Sequence, residues 1–233
     1  MNDRRLVLAT PHPRYDVLEK ALRERPDVEV LRLRERESLT PQALADFAPR
    51  YVFFPHWSWK IPATVHEHFE CVIFHMADVP FGRGGSPLQN LIDLRLQDTR
   101  LCALRCGDEL DAGPVYVKRP LSLLGTAEEI FLRAAELMEE MIITIMDTHP
   151  TPQSQAGDVV AFKRRKPEQS DLRLAGSLER VHDMIRMLDA EGYPHAFIEL
   201  GGLRFEFTRA SRLSDRVHAD VRITLVDQEK KTS

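Results

Sequence analysis

Residues 71–89, CVIFHMADVPFGRGGSPLQ, pass from a short apolar run through a histidine and a glycine-rich turn to a serine–proline pair. The run at 71–76 is too short for a helix and is rich in β-branched and aromatic side chains, so it reads as a buried strand. Ser86 followed by Pro87 reads as the N-cap and first turn of a helix, with Leu88, Leu91, Ile92 and Leu96 on one face. A strand, a glycine turn and a helix in that order form the repeating unit of an α/β fold.

The same alternation extends in both directions. Toward the N-terminus, residues 6–9, 28–33 and 51–55 read as strands. Helical patterns at 15–25 and 40–47 separate them, the second opened by Thr40 and Pro41. Residues 62–69 can form a short helix. Toward the C-terminus come strands at 101–104 and 115–117. Thr126 and Glu129 then form a capping box that opens a helix running to about residue 147. These elements predict a doubly wound, mostly parallel sheet, with a catalytic domain at residues 1–150. Turn-forming residues at 149–154 (HPTPQS) break the pattern. Residues 156–233 read as a small α+β C-terminal appendage: a weak strand at 159–162, a basic loop, a helix at 178–190 and strands at 196–200, 203–208 and 217–225. Gly201 and Gly202 make a hairpin turn between two of these strands. Residues 228–233 are expected to fray.

Composition narrows the function classes. The chain has 233 residues, 43% of them hydrophobic, and 32 basic against 36 acidic side chains give a net charge of −4. Nucleic acid is not expected as a partner, because such proteins usually carry a basic surplus. The three cysteines, Cys71, Cys102 and Cys106, contain no CxxC pair, and no metal is expected. His66 and His68 resemble the start of a zincin motif, but Glu70 stands at the second ligand position, so both read as exposed helix residues. The absence of a long apolar stretch predicts a cytoplasmic protein with no membrane partner. A homodimer is left open. Residues 8–13 lack the glycine loop of a nucleotide-binding oxidoreductase.

Ligands of open α/β sheets collect at the carboxyl ends of strands. His56 and His75 stand at two such ends, although a single histidine there serves as readily in a structural role. The glycines at 82–85 would let a backbone approach closely, and the helix start beyond them would attract an anion. Asp111, just before Ala112-Gly113-Pro114, reads either as a turn former or as a residue folded over the same sheet end.

The order of these pieces resembles the folate-dependent formyltransferase family, which includes methionyl-tRNA formyltransferase, the glycinamide ribonucleotide enzyme and the sugar N-formyltransferases. His75, Pro80, Arg83-Gly84, Pro87 and Gln89 match its signature. Asp111-Ala112-Gly113-Pro114 matches its Asp-x-Gly-Pro element, and Trp57-Ser58-Trp59-Lys60-Ile61-Pro62 its aromatic turn. Residues 164–170 continue the resemblance more loosely. The resemblance implies formyl transfer from 10-formyltetrahydrofolate to an amine, with His75 as general base or oxyanion donor and Asp111 orienting it. It implies a pterin site between Trp59, Lys60, Ile61 and the loop of Cys106, Gly107, Asp108 and Leu110. The acceptor would lie beside Gly82, Arg83, Gly84, Gly85 and Ser86. The nearest branch is the sugar N-formyltransferases, so the expected acceptor is a nucleotide-linked amino sugar, a surface-glycan precursor. Lys163 to Lys166 would neutralise its diphosphate or form a solvated loop.

One position departs from the family. Its asparagine, two residues before the histidine, is Ile73 here, and an isoleucine cannot donate a hydrogen bond to the formyl oxygen. Losing such a donor typically costs about 3 kcal/mol of transition-state stabilisation. By sequence, the nearest substitutes are His56 and Asn90. Without one, the chain would be a catalytically impaired folate-binding member of the family.

Overall fold

A computed structural model describes residues 4–226; residues 228–233, expected to fray, lie outside them. In chain order the elements are β1 (Arg5–Ala9), α1 (Asp16–Arg23), β2 (Glu29–Leu33), α2 (Pro41–Phe47), β3 (Tyr51–Phe54), α3 (Ala63–His66) and β4 (Cys71–His75). Next come β5 (Phe81–Gly84), α4 (Pro87–Asp93), β6 (Asp98–Arg105), β7 (Val115–Ser122) and α5 (Ala127–Thr148). The chain closes with β8 (Val160–Phe162), α6 (Leu178–Arg186), β9 (Ala196–Leu200), β10 (Leu203–Arg212) and β11 (Val217–Leu225).

The central sheet has six strands in the order β2-β1-β3-β4-β6-β7. The first four run parallel, β6 runs antiparallel to β4, and β7 runs antiparallel to β6. Alternation along the strands sends apolar side chains to both faces. Leu6, Leu8, Tyr51, Phe53 and Val72 pack with α1, α4 and α5 in one cluster. Val7, Ala9, Val52, Phe54 and Cys71 pack with Leu44 of α2 and Val65 of α3 in the other. Burial on both faces is what a doubly wound sheet requires of its strands. Chain order reverses between β1 and β3, which opens a crevice at their carboxyl ends.

Several elements differ from the sequence reading. The glycine turn at 82–86 contains strand β5, which pairs in parallel with β8 from beyond the expected boundary. An added Cβ on Gly84 would stand 2.4 Å from the Phe162 carbonyl oxygen, and one on Gly85 would stand 2.6 Å from the Arg164 side chain. Glycine is needed there because the chain's own segment presses against it. Ser86 occupies the N-cap of α4, yet its hydroxyl accepts from the Arg165 amide at 3.1 Å rather than from the helix. Helix α4 ends at Asp93, so Leu96 falls outside it and is 37% exposed. Strands β6 and β7 are longer than their apolar runs, because antiparallel pairing carries Asp98 to Arg100 against Pro120 to Ser122. Helix α6 ends at Arg186, four residues short of the expected end.

Strands β9, β10 and β11 form a three-stranded antiparallel sheet, with Gly201 and Gly202 at the first turn. Met184, Ile185, Met187 and Leu188 join the same apolar cluster as β1 and α5. Among the described residues, no helix is long and apolar enough to cross a membrane.

Helix α5 is anchored by its capping box: the Glu129 amide donates to Thr126 Oγ1 at 3.2 Å and the Thr126 amide donates to Glu129 Oε2 at 2.7 Å. Thr126→Ala is expected to cost about 1 kcal/mol. Urea unfolding checks this: the midpoint should fall with an unchanged slope.

Candidate active site

A cleft of about 640 Å³ crosses the carboxyl end of the central sheet. Its walls come from both faces. Trp57, Ile61, Ile73 and Cys106 belong to the side of α2 and α3; Tyr15, Leu88, Phe131, Met138 and Tyr193 belong to the side of α4 and α5. His75 and Asp111 line the cleft between them, 6% and 8% exposed.

The geometry of this pair is set by β5. His75 Nε2 donates to the Gly82 carbonyl at 2.7 Å, and a carbonyl can only accept, so Nε2 carries a hydrogen. The second ring nitrogen, Nδ1, faces Asp111 Oδ2 at 3.4 Å. That same carboxylate oxygen accepts the Gly84 amide at 3.0 Å. Asp111 reaches this position with φ +53°, a left-handed conformation uncommon for an aspartate. Gly113 permits the turn beyond it, since a Cβ there would stand 1.8 Å from the Arg105 carbonyl oxygen. Gln155 holds the loop closed. Its side-chain amide donates to the carbonyls of Asp111 and Gly113, both at 2.8 Å, and its Oε1 accepts from Arg83 Nε at 3.0 Å.

The structure thus brings His75 and Asp111 together from elements far apart in the chain. Gly84, Gly85 and Ser86 also line the cleft. Gly82 and Arg83 do not: Gly82 turns its carbonyl to His75, and Arg83 is spent on Gln155 and Glu109. Trp59, Lys60 and Ile61 face the cleft together with Cys106, Gly107, Asp108 and Leu110. Trp57 and Trp59 meet edge to face at 4.8 Å. Among the described residues, the backbone amides of 107–110 have no hydrogen-bond partner, and nothing lies within 4 Å of a Cβ built on Gly107. An apolar wall facing a strip of free backbone amides suits a flat heterocycle with hydrogen-bonding edges. Burial pushes the Cys106 thiol up to about 11, so it stays protonated and is no nucleophile. His66, read as an exposed helix residue, is turned inward with its side chain 5% exposed, 3.6 Å from Asp108.

The two substitutes considered for the missing asparagine now separate. Asn90 Nδ2 already donates to the carbonyls of Gly85, Ser86 and Lys163 at 2.9–3.1 Å, so it has nothing left to offer. His56 lines the cleft with φ +52° and is enclosed by His12, Tyr15, Phe131 and Tyr193. Its Nε2 meets the Tyr193 hydroxyl at 3.0 Å, while Nδ1 and the Tyr15 hydroxyl are buried without a partner among the described residues. Sequence reading missed Tyr15, Gln155 and Tyr193. Tyr15 reads as part of an amphipathic helix, and Gln155 and Tyr193 lie in turn-rich segments beyond the expected boundary.

Comparisons with known proteins show which family the chain falls in. A family model described as the C-terminal domain of methionyl-tRNA formyltransferase matches residues 167–224. A solved structure of methionyl-tRNA formyltransferase from Clostridium thermocellum is 42% identical, covers 95% of this chain and 99% of its own, and superposes with a TM-score of 0.92. The chain belongs to the formyltransferase family. Methionyl-tRNA formyltransferase of Cutibacterium acnes is 28% identical over 142 residues, 58% of this chain and 44% of that protein. The chain spans about half the length of the curated relatives it matches. HypX from Aquifex aeolicus, in a structure with tetrahydrofolic acid, shares the fold at 19% identity and a TM-score of 0.72, over 88% of this chain and 37% of HypX.

Burial, followed by His12 and Arg14, lowers the His56 pKa from 6.5 to about 3. Below pH 6.5 the unfolded chain therefore takes up a proton that the folded chain refuses. The stability carried by neutral His56 is present above that pH and is lost as pH falls toward 3. His56→Gln should flatten the stability profile between pH 6.5 and 4 by up to ~1.4 kcal/mol per pH unit, read from urea titrations across that range.

Proposed function

We propose that this cleft transfers a formyl group from 10-formyltetrahydrofolate to the primary amine of a nucleotide-linked amino sugar. The meeting of His75 and Asp111 at 3.4 Å inside one cleft carries this reading. Trp59, Ile61 and the free backbone of 107–110 would hold the pterin, and the folate supplies an activated formyl carbonyl. Acyl transfer to an amine needs a group that takes the amine's proton and a place that orients both reactants. Because Nε2 is committed to Gly82, a proton is gained or returned at His75 Nδ1. Asp111 faces that atom, stabilises the positive ring and keeps it from rotating. The Gly84 amide holds the Asp111 carboxylate in place, and the leaving nitrogen can recover its proton through the same pair.

The acceptor reading rests on charge placement. Arg164 lines the cleft beside Gly85 and Tyr193, and no carboxylate pairs with it among the described residues. Arg165, the next residue, turns away to Asp93. A free cation in the cleft wall at the acceptor end suits a diphosphate. Elsewhere in the C-terminal sheet the arginines are matched: Arg204 and Arg222 with Glu206, Arg209 with Asp220, Arg212 with Glu179. Tight nucleic-acid binding draws on several cations free to replace counterions. A second reading, transfer to the aminoacyl amine of methionyl-tRNA, is favoured by the family match at residues 167–224 and by the Clostridium thermocellum relative.

Incubation with 10-formyltetrahydrofolate and a panel of amino-sugar nucleotides, free amino sugars and methionyl-tRNA decides between these readings by product mass. A formylated sugar nucleotide supports the first reading and formyl-methionyl-tRNA alone the second; folate binding with no product on any amine would leave an impaired family member. His75→Ala and Asp111→Asn should each lower turnover about 10²–10⁴-fold with the fold intact by circular dichroism. Arg164→Ala should raise KM for a nucleotide-linked acceptor and leave that for an unphosphorylated amine unchanged.

A further inference from the structure

Ser86-Pro87-Leu88-Gln89 spells a capping box at the start of α4, with serine at the N-cap and glutamine at the third helical position. Neither half of it forms. The Ser86 hydroxyl accepts from the Arg165 amide, and Gln89 turns away from the Ser86 amide. Gln89 Nε2 donates instead to the Met187 carbonyl at 3.1 Å, just beyond the end of α6.

That bond settles which way round the Gln89 amide stands. A carbonyl only accepts, so the nitrogen faces Met187 and Oε1 faces away from it. Oε1 meets no donor among the described residues. The residue is only 4% exposed and lines the cleft with Gly85, Ser86, Met138 and Arg164. Unlike the Tyr15 hydroxyl and His56 Nδ1, its oxygen is not sealed from solvent, and the surface that it reaches is the cleft. A mostly buried amide oxygen with no donor is costly, and on a cleft wall a ligand's donor can satisfy it.

Formyl transfer consumes a neutral primary amine, which carries two N–H groups and one lone pair. The lone pair must point at the formyl carbon, and gripping one N–H with a fixed acceptor aims it. An uncharged amide oxygen suits this task. A carboxylate in its place would raise the pKa of the amine and keep the lone pair protonated. We infer that Gln89 Oε1 accepts a hydrogen bond from the acceptor's amine and aims that amine at the formyl carbon, with the Met187 carbonyl fixing the side chain. The inference rests on reading the cleft as a site of amine formylation, and it holds for an amino sugar and an aminoacyl amine alike.

Kinetics on whichever acceptor of the panel gives product test it. Gln89→Met keeps the length of the side chain without the amide. It should lower kcat/KM for the acceptor about tenfold, the scale of one neutral hydrogen bond, with KM for 10-formyltetrahydrofolate unchanged. Gln89→Glu should move the acid limb of the kcat profile about one pH unit upward, because the new carboxylate holds the amine as ammonium. A glutamine that only ties α4 to α6 gives a different result: both variants lose stability to urea, the two KM values shift alike and the pH profile stays in place. That result overturns the inference, while wild-type turnover still upholds amine formylation. Loss of the folded state in both variants, read by circular dichroism, overturns it equally. A wild type that binds folate and formylates no amine of the panel overturns the inference together with the reading on which it rests.

Discussion

The backbone of β5 is the constraint on which the site depends. One of its carbonyls, Gly82, fixes the His75 ring, and one of its amides, Gly84, fixes the Asp111 carboxylate. The short stretch of β5 between them sets the distance between the groups, so neither side chain can drift without breaking a hydrogen bond to that strand. That element is rigid because β8 lies against it, and β8 lies there because Gly84 and Gly85 present no side chain to Phe162 and Arg164. The glycines of this turn therefore hold His75 and Asp111 together by admitting a strand.

Much of the architecture is visible in the sequence because parallel strands buried on both faces must be continuous apolar runs. The strands β1, β3 and β4 were legible for that reason, and the caps at Thr40 and Thr126 follow from hydroxyls that accept the first free amides of a helix. Elements without a local signature were not legible. Phe81 to Gly84 has the composition of a turn, and only its partner at 160–162 makes it a strand. The polar ends of β6 and β7 are strands because they pair with each other. Ser86 has the residue type of a cap, but the nearby Arg165 amide takes its hydroxyl.

The site divides in the same way. His75 and Asp111 could be named because each ends a recognisable segment, and the structure brings them into contact. The walls around them could not. Tyr15, His56, Phe131 and Tyr193 converge from four separate parts of the chain, and their shared enclosure exists only after folding. The two residues weighed in place of the asparagine at Ile73 part only in three dimensions: Asn90 is consumed by three carbonyls, whereas His56 stands in an aromatic cage with Nδ1 unpartnered among the described residues.

Gln155 sits past the turn-rich break at 149–154, yet it clamps the Asp111 loop and Arg83 at once. A graft that exchanged everything after residue 150 for another protein's tail would remove this clamp along with Phe162, Arg164 and Tyr193. Chimeras meant to change the acceptor would have to keep the stretch through residue 165 with the first half of the molecule, and Tyr193 with whichever half contributes His56. The unit of inheritance for the chemistry is thus longer than the α/β layer that displays it.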